Sequence, residues 1–466
     1  MRKSADRVIA VIGGGGFRTP RLLSGLLRHA EELGLGAIRL YDIDAGRARI
    51  MEGLGRHLAA NAGGLVTVDA APSVEEAARG ADFVLITIRP GGEEGRVQDE
   101  AASFDEGVLG QETVGPGGFF LALRTIPVVL DLVRVVRGVN RQAWFINFSN
   151  PVGIVSEAVR QTGEQRFIGV CDTPHHLVQE LARHLGTADA ALSVESIGLN
   201  HLGWFLRVWL DGEDVLPRIL SDLPAVQRRV RPLSFFRPED IRSAAALPTE
   251  YVYLYLHAED VRGRLARPGT VTRGQAVRDR SQAFYRAAAG RIDQDPAAVW
   301  ALYLETLAGR SNSYLQQETE TSVPRTLTPA TLVASEGYER VAIDAMLGLV
   351  GPSPSLAILN VPSRGVAAPA VPWASVSEGP CLVKTQGPIP LPPSVRPNDT
   401  VLALMTAVKR YELATVAAEA EGTEAALVDA LAQNPLVASR DLGARLIRRR
   451  LGAAEDFPSV AHPGGA

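Results

Sequence analysis

RVIAVIGGGGFRTP (7–20) decides the fold. A run of β-branched and aliphatic residues passes straight into Gly13, Gly14, Gly15 and Gly16, continues through Phe17, and meets a Thr-Pro step that opens a helical pattern. A strand, a glycine turn and a helix in that order let backbone amides approach an anion at the helix N-terminus, because no Cβ stands in the way.

Working outward, AIRLYDI (37–43), ADFVLITI (81–88), AWFINF (143–148) and RFIGV (166–170) are further β-rich runs. Between them TPRLLSGLLRHAEELG (19–34), LRTIPVVLDLVRVVRGV (123–139) and PHHLVQELARHLG (174–186) carry apolar residues at helical spacing. Strands alternating with helices predict an α/β chain with a Rossmann-type, doubly wound parallel sheet. Gly13 and Gly15 fit the dinucleotide fingerprint, whereas Arg18 stands where its third glycine is usual. Asp42 ends the second strand at the offset where an acid meets the ribose hydroxyls of NAD, and its charge disfavours NADP. Arg47 and Arg49 nearby leave that exclusion incomplete, and a tight β–α turn with no ligand is the alternative reading.

Beyond about residue 190 the rhythm changes. SVESIGLNHLGWFLRVWLDGEDV (193–215) reads as strands with a DG turn, so a mixed α/β catalytic domain is expected over 193–445, after an NAD-binding domain over 1–192. The proline-rich stretches 369–383 and 388–397 read as irregular edges between helices, and 446–466 as a C-terminal tail.

With 466 residues and 46% hydrophobic residues the chain can bury a large core. Its 48 Lys and Arg nearly balance 52 Asp and Glu, which offers no broad field for nucleic acid or membrane and points to a small-molecule partner. The apolar run 119–136 is broken by Arg124, Asp131 and Arg134, unlike a membrane span. Two cysteines, Cys171 and Cys381, make no disulfide framework and suit a reducing cytoplasm.

In a parallel sheet the strand C-termini share one edge, where ligands bind. Here that edge gathers the glycine loop, Asp42, Arg89, Asn150 and Cys171. Arg89, before two glycines, suits an anion or is a surface arginine. Asn150, before Pro151, caps a helix, binds substrate, or does both. Cys171 and His201 have the chemistry to share a metal; a core cysteine and a hydrogen-bonded histidine are the alternative, and His175 and His176 compete as ligands. The alternating Tyr251, Tyr253 and Tyr255 read locally as one aromatic face of a strand or helix.

The segments VIGGGGFRTP (11–20), YDID (41–44), IRPGG (88–92), GVLGQETVGPGGFFLALRTIP (107–127), INFSNPVGIVSEA (146–158), GVCD (169–172), GLNHLGW (198–204), LPTEYVYLY (247–255) and TRG (272–274) together resemble glycoside hydrolase family 4, the NAD-dependent glycosidases. The resemblance implies that Cys171 and His201 bind Mn²⁺, where ligand softness alone would favour zinc. It implies that Asn150 contacts substrate beside the metal, that Glu112 lies near both, and that Arg89 and Arg273 face a sugar phosphate. Tyr251 matches the family's base, and Asp172 the leaving-group acid of phospho-α-glucosidase members.

The implied reaction oxidises carbon 3 of the sugar with NAD⁺, removes the acidified proton at carbon 2, eliminates the aglycone, adds water and returns the hydride. The ALRTIP, GLNHLGW and PTEY segments favour hydrolysis of 6-phospho-β-glucosides, with the α-anomer as the alternative; TIRPGG, LYLHAED and GRSNSYLQQE depart from the expected pattern. Family resemblance also implies a homodimer or homotetramer. Two readings of other classes are an NAD-dependent hydroxy-acid dehydrogenase, which needs no Cys–His metal pair, and a silent NAD-binding regulator.

Overall fold

The glycine-ended strand β1 (Arg7–Ile12) lies inside a parallel sheet with its apolar residues buried. The computed structural model describes residues 6–267, 269–319 and 321–452. On one side of β1 stand β2 (Leu35–Tyr41) and β3 (Thr67–Ala70). On the other stand β4 (Phe83–Ile86), β5 (Trp144–Asn147) and β6 (Phe167–Gly169). The order β3-β2-β1-β4-β5-β6 is that of a doubly wound dinucleotide fold, with its switch point between β1 and β4. All of β4 is buried, as expected of a central parallel strand with helices on both faces.

Two local expectations change. The helical run expected over 19–34 divides at His29 into Thr19–Arg28 and Ala30–Leu33, closed by Gly34 at φ 60°. Strand β3 has no counterpart in the sequence reading, because only Val68 of its four residues is buried and it lacks an apolar run.

The sheet continues into the second half of the chain. The remaining strands are β7 (Leu192–Leu199), β8 (Leu202–Leu210), β9 (Glu213–Asp214), β10 (Leu247–Pro248), β11 (Ser355–Pro362), β12 (Val376–Lys384) and β13 (Gly387–Pro390). β11 joins β6 antiparallel through Asn360 and Gly169, and the order runs on through β12, β7 and β8 to β10. β7 and β8 form a hairpin turning at Asn200–His201; Asp211 and Gly212, at φ 51° and 83°, make the DG turn into β9.

The proline-rich stretches are corrected in part: 369–375 and 391–397 are irregular as expected, but β12 and β13 replace the irregular edges over 376–383 and 388–390. Pro380 lacks an N–H and weakens the local strand signal, yet β12 pairs with β11 along Val376–Val383 and with β13 along Cys381–Lys384. These partners outweigh local propensity. The expected tail is also shortened, since the helix Arg440–Leu451 continues past residue 446; residues 453–466 lie outside the described residues. Among the described residues, no helix is long and apolar enough to cross a membrane.

Candidate active site

The glycine loop is shaped by the end of β2. Gly13 and Gly14 both donate their amides to the Tyr41 carbonyl, at 2.9 and 2.8 Å. The Gly15 amide donates to Asp42 Oδ2 at 2.9 Å, and Asp42 Oδ1 accepts from the Asp44 amide at 2.9 Å. A Cβ on Gly13 would stand 2.5 Å from the Thr87 carbonyl oxygen, and one on Gly15 would stand 2.8 Å from Asp42 Cγ, so close approach demands glycine at both. Among the described residues the amides of Phe17 and Arg18 take no hydrogen bond, at the mouth of the helix Thr19–Arg28. That is an anion cradle. The Phe17 ring itself turns into the core against Phe284 and Tyr303, leaving only its backbone for a ligand.

Arg89, Asn150 and Cys171 follow the C-terminal ends of β4, β5 and β6, on the same edge as the loop. The helix after Asn150 begins at Val152, with Pro151 at its N-cap and no side-chain cap. Asn150 therefore does not cap it. Its Oδ1 is buried without a partner, an orphan acceptor turned to neither helix nor sheet.

Glu112 pairs with Arg89 on one side and with Arg96 Nη1, at 2.7 Å, on the other. Arg96 Nε reaches Glu100 at 2.7 Å, and Glu100 accepts the Gly274 amide at 2.9 Å, where Arg273 begins a helix. A chain of alternating charge thus runs from Arg89 to Glu100, which holds the first turn of the helix that Arg273 begins. Against the cost of burial, Arg89 and Arg96 hold the Glu112 carboxyl far below the usual carboxylate range. Arg89 keeps Nη1 buried without a hydrogen bond. Arg273 donates to Ser313 Oγ and to the Arg310 carbonyl, each at 2.9 Å, and burial lowers its pKa.

Tyr251 caps the short helix Val252–Leu256 after β10, and its ring stacks on His201 at 3.9 Å between centroids, 12° from parallel. The alternating tyrosines are therefore a helix, with Tyr251 facing away from Tyr253, which packs on Phe235 and Phe236. Burial pushes the Tyr251 phenol well above its ordinary range, and the charge of Glu112 and the nearby Cys171 add to it. Burial also draws His201 down to about 4, so its imidazole is neutral near pH 7. His201 has φ 62°, a rare conformation for a non-glycine residue, and functional sites are where such strain gathers.

Of the rival histidines, His176 lies between Glu250 at 3.5 Å and Glu180 at 3.6 Å, whereas His175 Nε2 is buried without a hydrogen bond, 4.0 Å from Asp189. Burial, with Glu378 and Asp172 nearby, raises the Cys171 thiol well above its ordinary range, so a cation is needed to hold it as thiolate. Among the described residues no three His, Cys, Asp or Glu side chains gather as a ready-made metal cage. A buried thiol, a neutral imidazole and the orphan Asn150 oxygen are donors that would suit a divalent cation, with Cys171 and His201 the side chains that would hold it.

Arg96, Arg18 and Glu250 were not foreseen as site residues. Arg18 carried a signal, as the residue replacing the third glycine; Arg96 and Glu250 carried none, since an arginine 16 residues before Glu112 and a glutamate bonded to Tyr314 64 residues on belong to no local motif.

The model of the family 4 glycosyl hydrolases matches residues 8–187, and that of the family 4 C-terminal domain matches residues 196–437. The chain belongs to glycosyl hydrolase family 4. This family 4 chain is accordingly a glycosidase, and its sheet is the family's Rossmann-like sheet. It is 28% identical over 452 residues to the 6-phospho-beta-glucosidase of Escherichia coli (strain K12), covering 95% of this chain and 94% of that protein. It is equally 28% identical, over 471 residues, to the maltose-6'-phosphate glucosidase of Bacillus subtilis (strain 168), covering 98% and 97%. Among solved structures, the 6-phospho-beta glucosidase of Thermotoga maritima, with manganese, NAD⁺ and glucose-6-phosphate, superposes with a TM-score of 0.79 at 25% identity, covering 97% of this chain and 99% of that one.

Proposed function

We propose that this chain hydrolyses 6-phospho-β-glucosides, using NAD⁺ held by the glycine loop and Asp42 and a divalent metal, Mn²⁺, held by Cys171 and His201. The observation that carries the reading is the Tyr251–His201 stack, with Cys171 near enough to Tyr251, and Asp172 and Glu112 near enough to His201, for their charges to act on them. A phenol stacked on a buried imidazole with a buried thiol close by has no reason to be kept in a silent regulator. A hydroxy-acid dehydrogenase has no use for the buried thiol. Relatives solved with NAD⁺ and manganese support both cofactors.

When bound, NAD⁺ supplies a reversible hydride acceptor for carbon 3, and the metal a Lewis acid for the oxygens on carbons 2 and 3. The chain's own residues do the rest. Tyr251 takes the proton from carbon 2; because burial raises its phenol, a positive charge nearby is needed to bring the phenolate within reach near neutral pH. Arg89, pinned by Glu112 but with one nitrogen free of hydrogen bonds, and Arg273 bind the 6-phosphate. Asn150 offers its orphan oxygen to a sugar hydroxyl or to the metal.

Relatives carry both anomeric names, and Asp172, beside Cys171, favours the α-glucoside as a second reading. The β-anomer is preferred because Asp172 is paired with Arg18 and held ionised, whereas a leaving-group acid must carry a proton. The test is to assay p-nitrophenyl 6-phospho-α- and β-glucosides and their unphosphorylated counterparts with NAD⁺, Mn²⁺ and reductant. Turnover of the phospho-β-substrate alone, without net NADH, is expected. Turnover of the phospho-α-substrate alone reverses the anomer, and activity without NAD⁺ overturns the mechanism.

A further inference from the structure

The motif GQETVGPGG (110–118) contains more than Glu112. Gln111 is buried, and its Oε1 accepts the Thr113 amide at 2.7 Å and the Val114 amide at 2.8 Å, folding the loop around one side chain. The Thr113 hydroxyl stands between two partners, Gln111 Oε1 at 3.3 Å and His201 Nδ1 at 2.8 Å. Next to it, Glu112 holds Arg89.

A hydroxyl has one proton to give. Donated to Gln111 Oε1, it leaves an oxygen lone pair facing Nδ1, and a hydrogen bond at 2.8 Å then requires Nδ1 to bear the imidazole proton. The ring has little freedom to choose another partner. Tyr251 stacks on its face, and the positive φ of His201 in the β7–β8 turn fixes where the side chain leaves the backbone. Nor can the loop retreat: a Cβ on Gly117 would stand 1.9 Å from the Gln111 carbonyl oxygen, and one on Gly118 would stand 2.2 Å from that of Thr113. The glycines that follow the loop are there to let its carbonyls press on the helix Pro116–Val139.

We propose that Thr113, oriented by Gln111, is a positioning residue that fixes His201 as the Nδ1–H tautomer and so reserves Nε2 for the metal. The proposal rests on the metal-binding reading above. It adds that one loop sets both sides of the site, the imidazole through Thr113 and the phosphate-binding arginine through Glu112. Histidines that ligate metals commonly donate their second N–H to an acceptor that fixes the ring; here the acceptor is a hydroxyl.

The test uses metal-free protein labelled with ¹⁵N in its histidines, whose ring nitrogen shifts distinguish the two tautomers. Wild type and Thr113→Ser are expected to hold His201 as Nδ1–H, and Thr113→Val, which keeps the shape and removes the hydroxyl, to give a mixture. Mn²⁺ affinity, read by electron paramagnetic resonance, should fall about 10–100-fold in Thr113→Val and recover in Thr113→Ser. A wild-type spectrum showing Nε2–H overturns the proposal without any variant. So does a Thr113→Val protein with unchanged tautomer and Mn²⁺ affinity within twofold of wild type. If wild type binds no Mn²⁺ while the tautomer responds as expected, the metal reading fails and the role of Thr113 stands.

Discussion

Arg18 Nη1 lies 3.4 Å from Asp172 Oδ2, joining the end of the glycine loop to the start of the helix Thr173–Leu185. Against the penalty of desolvation, Arg18 and then His176 hold the Asp172 carboxyl below its ordinary range. Asp172→Asn is therefore expected to slow a poor leaving group, methyl 6-phospho-β-glucoside, no more than it slows the p-nitrophenyl substrate. A loss of about 100-fold confined to the methyl substrate would identify Asp172 as the acid and return the case to the α-branch chemistry.

Tyr251→Phe keeps the ring that stacks on His201 and removes only the hydroxyl. The expected outcome is a fall in kcat of about 10²–10⁴, with glucose-6-phosphate binding by calorimetry and thermal stability both retained. Activity within threefold of wild type would remove Tyr251 from the mechanism.

Asp42→Ala deletes the acceptor of two loop amides and the acid at the ribose position. NAD⁺ should bind at least about tenfold more weakly, while NADP⁺, relieved of a repulsive carboxylate, loses less. Titration calorimetry with both nucleotides checks this, and an unchanged ratio of the two affinities contradicts it.

Lys409 is buried between Glu412 Oε2 at 2.8 Å and Glu157 Oε2 at 3.3 Å, tying the helix Asp399–Glu421 to the helix Val152–Gln161 behind Asn150. Lys409→Met leaves buried Glu412 without its cation, while Glu157 keeps Arg160 at 2.8 Å, and should cost about 3–5 kcal/mol in urea denaturation. A loss below about 1 kcal/mol would mean the carboxylates are protonated or hydrated in the native state.

Asp344 accepts from Arg340 Nε at 2.8 Å, yet burial pushes its pKa from 3.8 up to about 6. The native state then holds this proton more tightly than the unfolded chain. Its contribution to stability is complete below about pH 4 and is lost as pH rises through about 6, a swing of about 3 kcal/mol. Asp344→Asn should flatten the pH dependence of stability across that window. Denaturation curves at pH 4 and pH 7 that shift by equal amounts in variant and wild type would contradict it.

The sequence by itself determined what neighbouring residues can encode. The glycine loop, Asp42, the five apolar strands and the placing of Arg89, Asn150 and Cys171 on one edge follow from local runs and from the directional rule of parallel sheets. The motifs carried the family. Strands β3, β11, β12 and β13 were not legible: β3 has no apolar run and prolines interrupt β12 and β13, so their ladders, even the β12–β13 hairpin, come from pairing rather than from local propensity.

Only the tertiary structure decided which side chains meet. Tyr251 looked like one of three equivalent tyrosines until a helix turned it onto His201. Thr113 meets His201 across 88 residues of sequence, and Arg18 meets Asp172 across 154. Such pairs form only after the loops between them have closed, a cost met by the burial of the whole sheet rather than by any local signal. Residue type announced the chemistry available to this chain, and the closing of the sheet decided which groups could act together.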